Sequence, residues 1–296
     1  MHRPGLYTAL ITPFAKDGTI AFTTFAHLVK RQLDAGVQGI VVMGTTGESA
    51  TISPDERSEL IKHAKKASLG KIFVMAGCGT SDTATSIKQA QAAEKSGADA
   101  LQIPAPAYNK PSQEGLLRHF KAIHDAVNIP MFIYNVPGRV AVNISPQTLA
   151  QLIQLERCIG AKEASGNVVH AMELLDLTKS SQKPITLLSG DDLLALPLIS
   201  IGAHGVMSVI SNLFPQTMNQ LVTAALEGNL ENARQLHYRL RPLMQACFIE
   251  SNPVPIKFMM EHAGLASEQC RLPLAPLAEN NKKELSTLLE QYTYET

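Results

Sequence analysis

A lysine, a tyrosine, an arginine and a glycine-threonine loop are the residues of this chain with most chemistry to offer. Lys162 ends a short apolar run, Cys158-Ile159-Gly160-Ala161-Lys162, shortly before Ser165-Gly166-Asn167. The run reads as a strand and the Ser-Gly-Asn stretch as its terminating loop. Alternation along a strand sets Lys162 on one face with Cys158 and Gly160. That face is small, and a lysine on it points into a tight interior. An amine taken out of water sheds its proton more readily, and a neutral amine adds to a ketone to form a Schiff base. A strand-end lysine reaching solvent is the plainer alternative at this position.

The other groups each admit two readings. Gly44-Thr45-Thr46-Gly47 offers backbone N–H groups and two hydroxyls to an anion. It lacks the lysine of a nucleotide-binding P-loop, so a carboxylate fits it better; an ordinary glycine turn is the alternative. Tyr134 lies on the neighbouring predicted strand, where its hydroxyl passes protons or merely sits satisfied in a core. Arg139 follows Pro137-Gly138 and either clamps a carboxylate or lies solvated on the surface. Asp191 and Asp192 are expected to cap the following helix rather than bind metal. The nine histidines show no His-x-His or His-Glu-x-x-His spacing, so no metal is expected.

These groups need a frame. Gly36, Gly97 and Gly202 each stand after a helical stretch and before a short apolar strand, the pattern of βα repeats on a parallel sheet. Strands are predicted at about 6–12, 38–43, 71–76, 100–104, 130–134, 157–162, 184–189 and 204–209. Helices are predicted at about 22–35, 54–68, 82–96, 113–126, 145–154, 167–179, 191–201 and 215–227. Eight such units make a (β/α)8 TIM barrel, an α/β fold, over residues 1–227. Residues 228–296 are expected to form a C-terminal helical domain, broken at Pro242 and Pro253 and packed on the barrel. In such a barrel chemistry belongs at the C-terminal ends of the strands. The glycine-threonine loop, Tyr108-Asn109-Lys110-Pro111, Tyr134, Arg139, Lys162 and Ser189-Gly190-Asp191-Asp192 all fall there. That convergence favours Lys162 as a nucleophile.

Composition narrows the field. With 45% hydrophobic and 18% charged residues in 296, the chain supports a large core. A formal net charge of zero implies no basic face, so nucleic acid is not expected as a partner. Cys78, Cys158, Cys247 and Cys270 form no Cys-x-x-Cys pair and read as reduced thiols of a cytoplasmic protein. The start, from Met1, is too short and broken for a signal peptide. No apolar run approaches the ~20 residues that cross a bilayer, so no membrane is expected.

Taken together, Gly44-Thr45-Thr46-Gly47-Glu48, Tyr108 to Gly115, Tyr134-Asn135-Val136-Pro137, Lys162 to Asn167 and Ser189-Gly190-Asp191-Asp192 resemble the dihydrodipicolinate synthase family. This is a branch of the pyruvate-dependent class I aldolases, the N-acetylneuraminate lyase superfamily. The resemblance runs from Leu6 to about Pro276. It implies condensation of pyruvate with L-aspartate 4-semialdehyde through a Schiff base on Lys162, the committed step toward diaminopimelate and lysine, with no cofactor. It implies a proton relay of Tyr134, Thr45 and Tyr108, with Tyr108 supplied by a neighbouring subunit of a dimer or tetramer. It implies that Thr46 holds the pyruvate carboxylate, that Arg139 holds that of the semialdehyde, and that Gly190 and Met207 line the pocket. Sialic-acid lyases typically lack an arginine at position 139, so Arg139 favours the synthase branch. Another pyruvate aldolase is the nearest alternative; a non-catalytic barrel that binds a small carboxylate is one of another class.

One departure carries its own expectation. Lysine-inhibited relatives have two histidines, an asparagine, a glutamate and a tyrosine where this chain has Pro54, Arg57, Ser81, Thr85 and Ala107, while Ser49 and Ala50 remain. L-Lysine is therefore expected to inhibit weakly or not at all.

Overall fold

Eight parallel strands close on themselves in chain order. They are β1 (Gly5–Ala9), β2 (Gly39–Val42), β3 (Phe73–Gly77), β4 (Ala100–Pro104), β5 (Met131–Asn135), β6 (Cys158–Glu163), β7 (Thr186–Ser189) and β8 (Gly205–Ser208). β8 returns to pair with β1, with Tyr7 opposite Met207. The computed structural model describes residues 4–181, 183 and 185–295. Met1 to Arg3, with the leader reading, and Pro184, at the start of the seventh predicted strand, lie outside the described residues.

The helices between strands are α1 (Phe22–Asp34), α2 (Pro54–Ala67), α3 (Thr83–Lys95), α4 (Gln113–Asp125), α5 (Pro137–Val140), α6 (Pro146–Ile153), α7 (Val168–Thr178), α8 (Ala195–Ser200) and α9 (Pro215–Leu226). Local chemistry starts several of them. Ser53 and Glu56 form a reciprocal capping box ahead of α2, with Pro54 in its first turn. Ser112 caps α4 and Ser145 caps α6 through the same backbone–hydroxyl contact. The chain continues as α10 (Leu230–Ala246), α11 (Val254–His262) and α12 (Glu279–Leu289). Among the described residues, no helix is long and apolar enough to cross a membrane.

Alternation divides each strand between two cores. Inward side chains Tyr7, Val41, Met75, Ala100, Phe132, Leu188 and Met207 pack as one cluster inside the barrel. The outward faces meet the helices in a larger apolar shell. Gly160 is small because Phe132 fills the space in front of it: a Cβ at 160 would stand 2.6 Å from Phe132 Cε1.

Four details differ from the sequence reading. β1 ends at Ala9: the Leu10 amide still reaches β2 at Val41 O, and the Ile11 amide turns away to Asn212 Oδ1. The stretch after Tyr134 holds the extra short helix α5, which carries Arg139. Cys158 does not share the face of Lys162, since β6 slips by one residue against β5 between Met131 and Phe132. The slip turns Cys158 to the outer shell and lets Ile159 pack against the inner cluster. Finally, α8 begins at Ala195, so Asp191 and Asp192 are not its caps. Asp191 Oδ1 instead receives the Leu193 amide, and Asp192 Oδ2 receives the amides of Val209 and Ile210, each at 2.9 Å. Asp192 thereby ties the β7 loop to the end of β8, and burial pushes its carboxyl up to about 6.

The chain after α9 is bolted to the barrel by buried polar contacts. Lys257 forms an ion pair with Glu48, both almost fully buried. Arg271 bonds Glu56, Thr51 O and Gly18 O. Near the chain end, the Glu295 carboxylate caps the first turn of α9 at the amides of Gln216 and Thr217.

Candidate active site

Lys162 stands near the end of β6, opposite Tyr134 on β5 and Leu188 on β7. It is 5% exposed. Its Nζ lies 4.3 Å from the centre of the Tyr134 ring. Among the described residues no carboxylate pairs with this amine. A buried lysine is normally held by an anionic partner; here the neighbouring surface is an aromatic face. Gly190, on the loop after β7, closes the other side. A Cβ there would stand 3.0 Å from Lys162 Cε and 2.6 Å from Ala164 Cβ.

The loop after β2 brings Thr45 to a cavity that Tyr134 also lines. Gly44, Thr45, Arg57, Gln102 and Tyr134 line one small cavity. Among the described residues, the backbone amides of Thr45 and Thr46 donate to no backbone carbonyl, which leaves them available to an anion. Glu48 closes the loop in the left-handed region, with φ 55°. Its carboxylate accepts from Lys257 Nζ and, at 3.0 Å, from the Arg271 amide. Thr12 Oγ holds the Gly47 carbonyl at 2.8 Å. Thr46 is 2% exposed, and its Oγ accepts from Asn252 Nδ2 at 2.9 Å.

The remaining expected groups lie at different depths. Arg139 is exposed on α5, and its guanidinium has no partner among the described residues, so it is free to receive an anion at the barrel rim. Met207 is fully buried in the inner cluster, next to Val206, which pairs with Ser189 at the end of β7. Tyr108 is 89% exposed with φ 74°, and the single chain does not bring it to Lys162.

Sequence reasoning missed the polar support behind the site. Glu163 points the opposite way from Lys162 and is 3% exposed. Its carboxylate receives the Ser165 amide at 2.6 Å and Asn135 Nδ2 at 3.0 Å, and lies 3.0 Å from His170 Nδ1. Burial opposes its ionisation, but His170, Ser165 and Asn135 together outweigh burial and hold the carboxyl below its ordinary range. Burial likewise disfavours the His170 cation, yet Glu163 and the Ile144 carbonyl raise the imidazole above its ordinary range. Asn135 spans the network, bonding Asn143 Oδ1 at 2.8 Å and receiving the Ile144 amide at 3.0 Å. The pair locks the ends of β5 and β6 together, which fixes the strand ends carrying Tyr134 and Lys162. The adjacency of Asn135 to Tyr134 and of Glu163 to Lys162 was the available signal. His170 carried none.

Comparison with known proteins agrees with this geometry. The family model described as "Dihydrodipicolinate synthetase family" matches residues 3–292. A 4-hydroxy-tetrahydrodipicolinate synthase of Protochlamydia amoebophila is 42% identical over 100% of this chain and 98% of its own. One from Chlorobium phaeobacteroides is 44% identical over 97% of this chain and 96% of its own. The crystal structure of the dihydrodipicolinate synthase from Thermotoga maritima superposes with a TM-score of 0.95 at 38% identity, covering 98% of this chain and 99% of that one. On a match that spans nearly its whole length, the chain belongs to the dihydrodipicolinate synthetase family.

Proposed function

We propose that this chain is a lyase that condenses pyruvate with L-aspartate 4-semialdehyde, the reaction of a 4-hydroxy-tetrahydrodipicolinate synthase. Family membership and relatives of that name at 42–44% identity support the reading. The single structural observation behind it is the buried Lys162 amine, set against the Tyr134 ring with no carboxylate to neutralise it.

The chemistry follows from that amine. Lys162 Nζ adds to the ketone carbon of pyruvate, and loss of water leaves an iminium. Its positive nitrogen draws electrons from the neighbouring methyl group, which sheds a proton to give an enamine. The enamine carbon adds to the aldehyde, and the new alkoxide takes up a proton. The amine of the former semialdehyde then attacks the iminium carbon, expels Lys162 and closes the ring. No added cofactor enters these steps.

Each proton needs a carrier. Tyr134 and Thr45, which line one cavity, take this role. Tyr108, solvent-exposed on one chain, would complete the relay from a second copy, which makes the working form a homo-oligomer, a dimer or tetramer. Thr46 and the free loop amides hold the pyruvate carboxylate. Arg139 takes the carboxylate of the semialdehyde at the rim. Gly190 and Met207 line the pocket, and Gly190 leaves room for the lysine stem. Residues 1–227 make the catalytic barrel, and 228–296 form a helical domain that braces it. The reading places the protein in the cytoplasm, with its four cysteines as thiols.

A coupled assay with pyruvate plus semialdehyde, run beside N-acetylneuraminate cleavage, tests the substrate. Turnover of the first alone is expected. Cleavage of the sugar acid with no condensation would move the chain to another branch of the aldolases.

A further inference from the structure

The loop that faces pyruvate is fixed from the far end of the chain. Asn252 is 4% exposed, and the one hydrogen bond of its side chain among the described residues is Nδ2 to Thr46 Oγ at 2.9 Å. Asn252 Oδ1 has no partner there. A hydroxyl carries one hydrogen and two acceptor lone pairs. Donation from Asn252 occupies a lone pair, so the Thr46 hydrogen is left to be given to another acceptor. Five residues on, Lys257 holds Glu48, and the Arg271 amide holds the same carboxylate at 3.0 Å. Both ends of the Thr46-Gly47-Glu48 stretch are thus set by residues more than 200 positions away in sequence.

Resting on the function proposed above, we propose that Asn252 is a positioning residue for pyruvate: it orients Thr46 so that the hydroxyl hydrogen is offered to the pyruvate carboxylate. It acts through Thr46 and does not itself touch that substrate. Direction is the essential point. An acceptor at position 252 would capture the Thr46 hydrogen and take it away from the ligand.

The test reads pyruvate alone. Borohydride trapping is followed by mass on the Lys162 peptide as a function of pyruvate concentration, without semialdehyde, and steady-state turnover is measured in parallel. Asn252→Ala is expected to raise the half-saturating pyruvate about tenfold or more, the size of a hydrogen bond to a charged group, with kcat at saturation little changed. Thr46→Val should raise the half-saturating pyruvate by at least as much. The double variant should be no worse than the worse single one, because both remove one interaction. Asn252→Asp keeps the size and shape but only accepts, so it should weaken pyruvate at least as much as Asn252→Ala. It also retains the readout if Asn252→Ala fails to fold. Multiplying effects in the double variant, or Asn252→Asp with wild-type pyruvate dependence, would overturn the inference. Labelling in the wild type with unchanged variants removes this inference alone. No labelling in the wild type removes the proposed function and this inference with it.

Discussion

Lys162 and Gly190 fit together because one of them has no side chain. A Cβ at position 190 would lie 2.6 Å from Ala164 Cβ, 3.0 Å from Lys162 Cε and 3.1 Å from Glu163 O. All are too close for the neighbours to absorb without moving. The Ala164 Cβ and the Glu163 carbonyl can yield only with their backbone, so the end of β6 must shift and the lysine stem with it.

Gly190→Ala should therefore act on chemistry and on folding together. The displaced lysine stem should cost about 10²-fold in kcat, the scale of an ångström's misplacement at a reacting centre. Overpacking against Ala164 should cost about 1–3 kcal/mol, so the Tm should also fall by several degrees. Turnover and thermal melts on the same preparation check this. Unchanged kcat would mean that the lysine is not confined by this loop.

A second expectation concerns pH. Glu163 ionises more readily in the fold than free, and His170 holds its proton more tightly. The depressed carboxyl contributes stability above its unfolded pKa, lost as pH falls through the folded value. The raised imidazole contributes below its ordinary pKa of ~6.5, lost as pH rises through the higher folded value. The pair is thus worth most in the mildly acidic window where both are charged. Glu163→Gln should cost about 3 kcal/mol there, with a smaller penalty toward alkaline pH. Melts of both proteins across pH 4–9 would show the narrowing; a penalty independent of pH would contradict it.

L-Lysine should be a poor inhibitor. Pro54, Arg57 and Thr85 border a recess between α2 and α3 whose other walls include Ile52, Ile61 and Ala92, with no carboxylate among its lining residues. Arg57 presents a half-buried cation there, fixed on Gly77 O at 2.8 Å and Ser49 O at 2.9 Å. An effector ammonium would meet that cation without a compensating anion. Inhibition curves should stay flat through the sub-millimolar range, and half-maximal inhibition within it would refute the reading.

Much of this frame was legible from sequence for physical reasons. Short apolar runs recur along the chain, with Gly36, Gly97 and Gly202 marking three of the turns from helix to strand, so the eight strands and their order followed from pattern. Lys162 and Tyr134 drew attention because a polar residue at the end of an apolar strand breaks that pattern, while the role given to Thr45 came from the family resemblance. What stayed hidden depended on contacts rather than pattern. The slip in β6 turns Cys158 away through pairing with β5, and nothing in the Cys158-Ile159-Gly160 run marks it. The first turn of α5 looks like a Pro-Gly bend. Asp191 and Asp192 have the composition of a helix cap, but their acceptors serve the loop and the end of β8. Asn252 and Lys257 reach Thr46 and Glu48 only once the barrel has closed and α11 has docked.

The central claim is that the Lys162 amine captures pyruvate. Borohydride added with pyruvate should leave a stable mass increase on the peptide bearing Lys162, and Lys162→Ala should abolish both the label and turnover. A label on some other lysine, or full turnover in Lys162→Ala, would contradict the account.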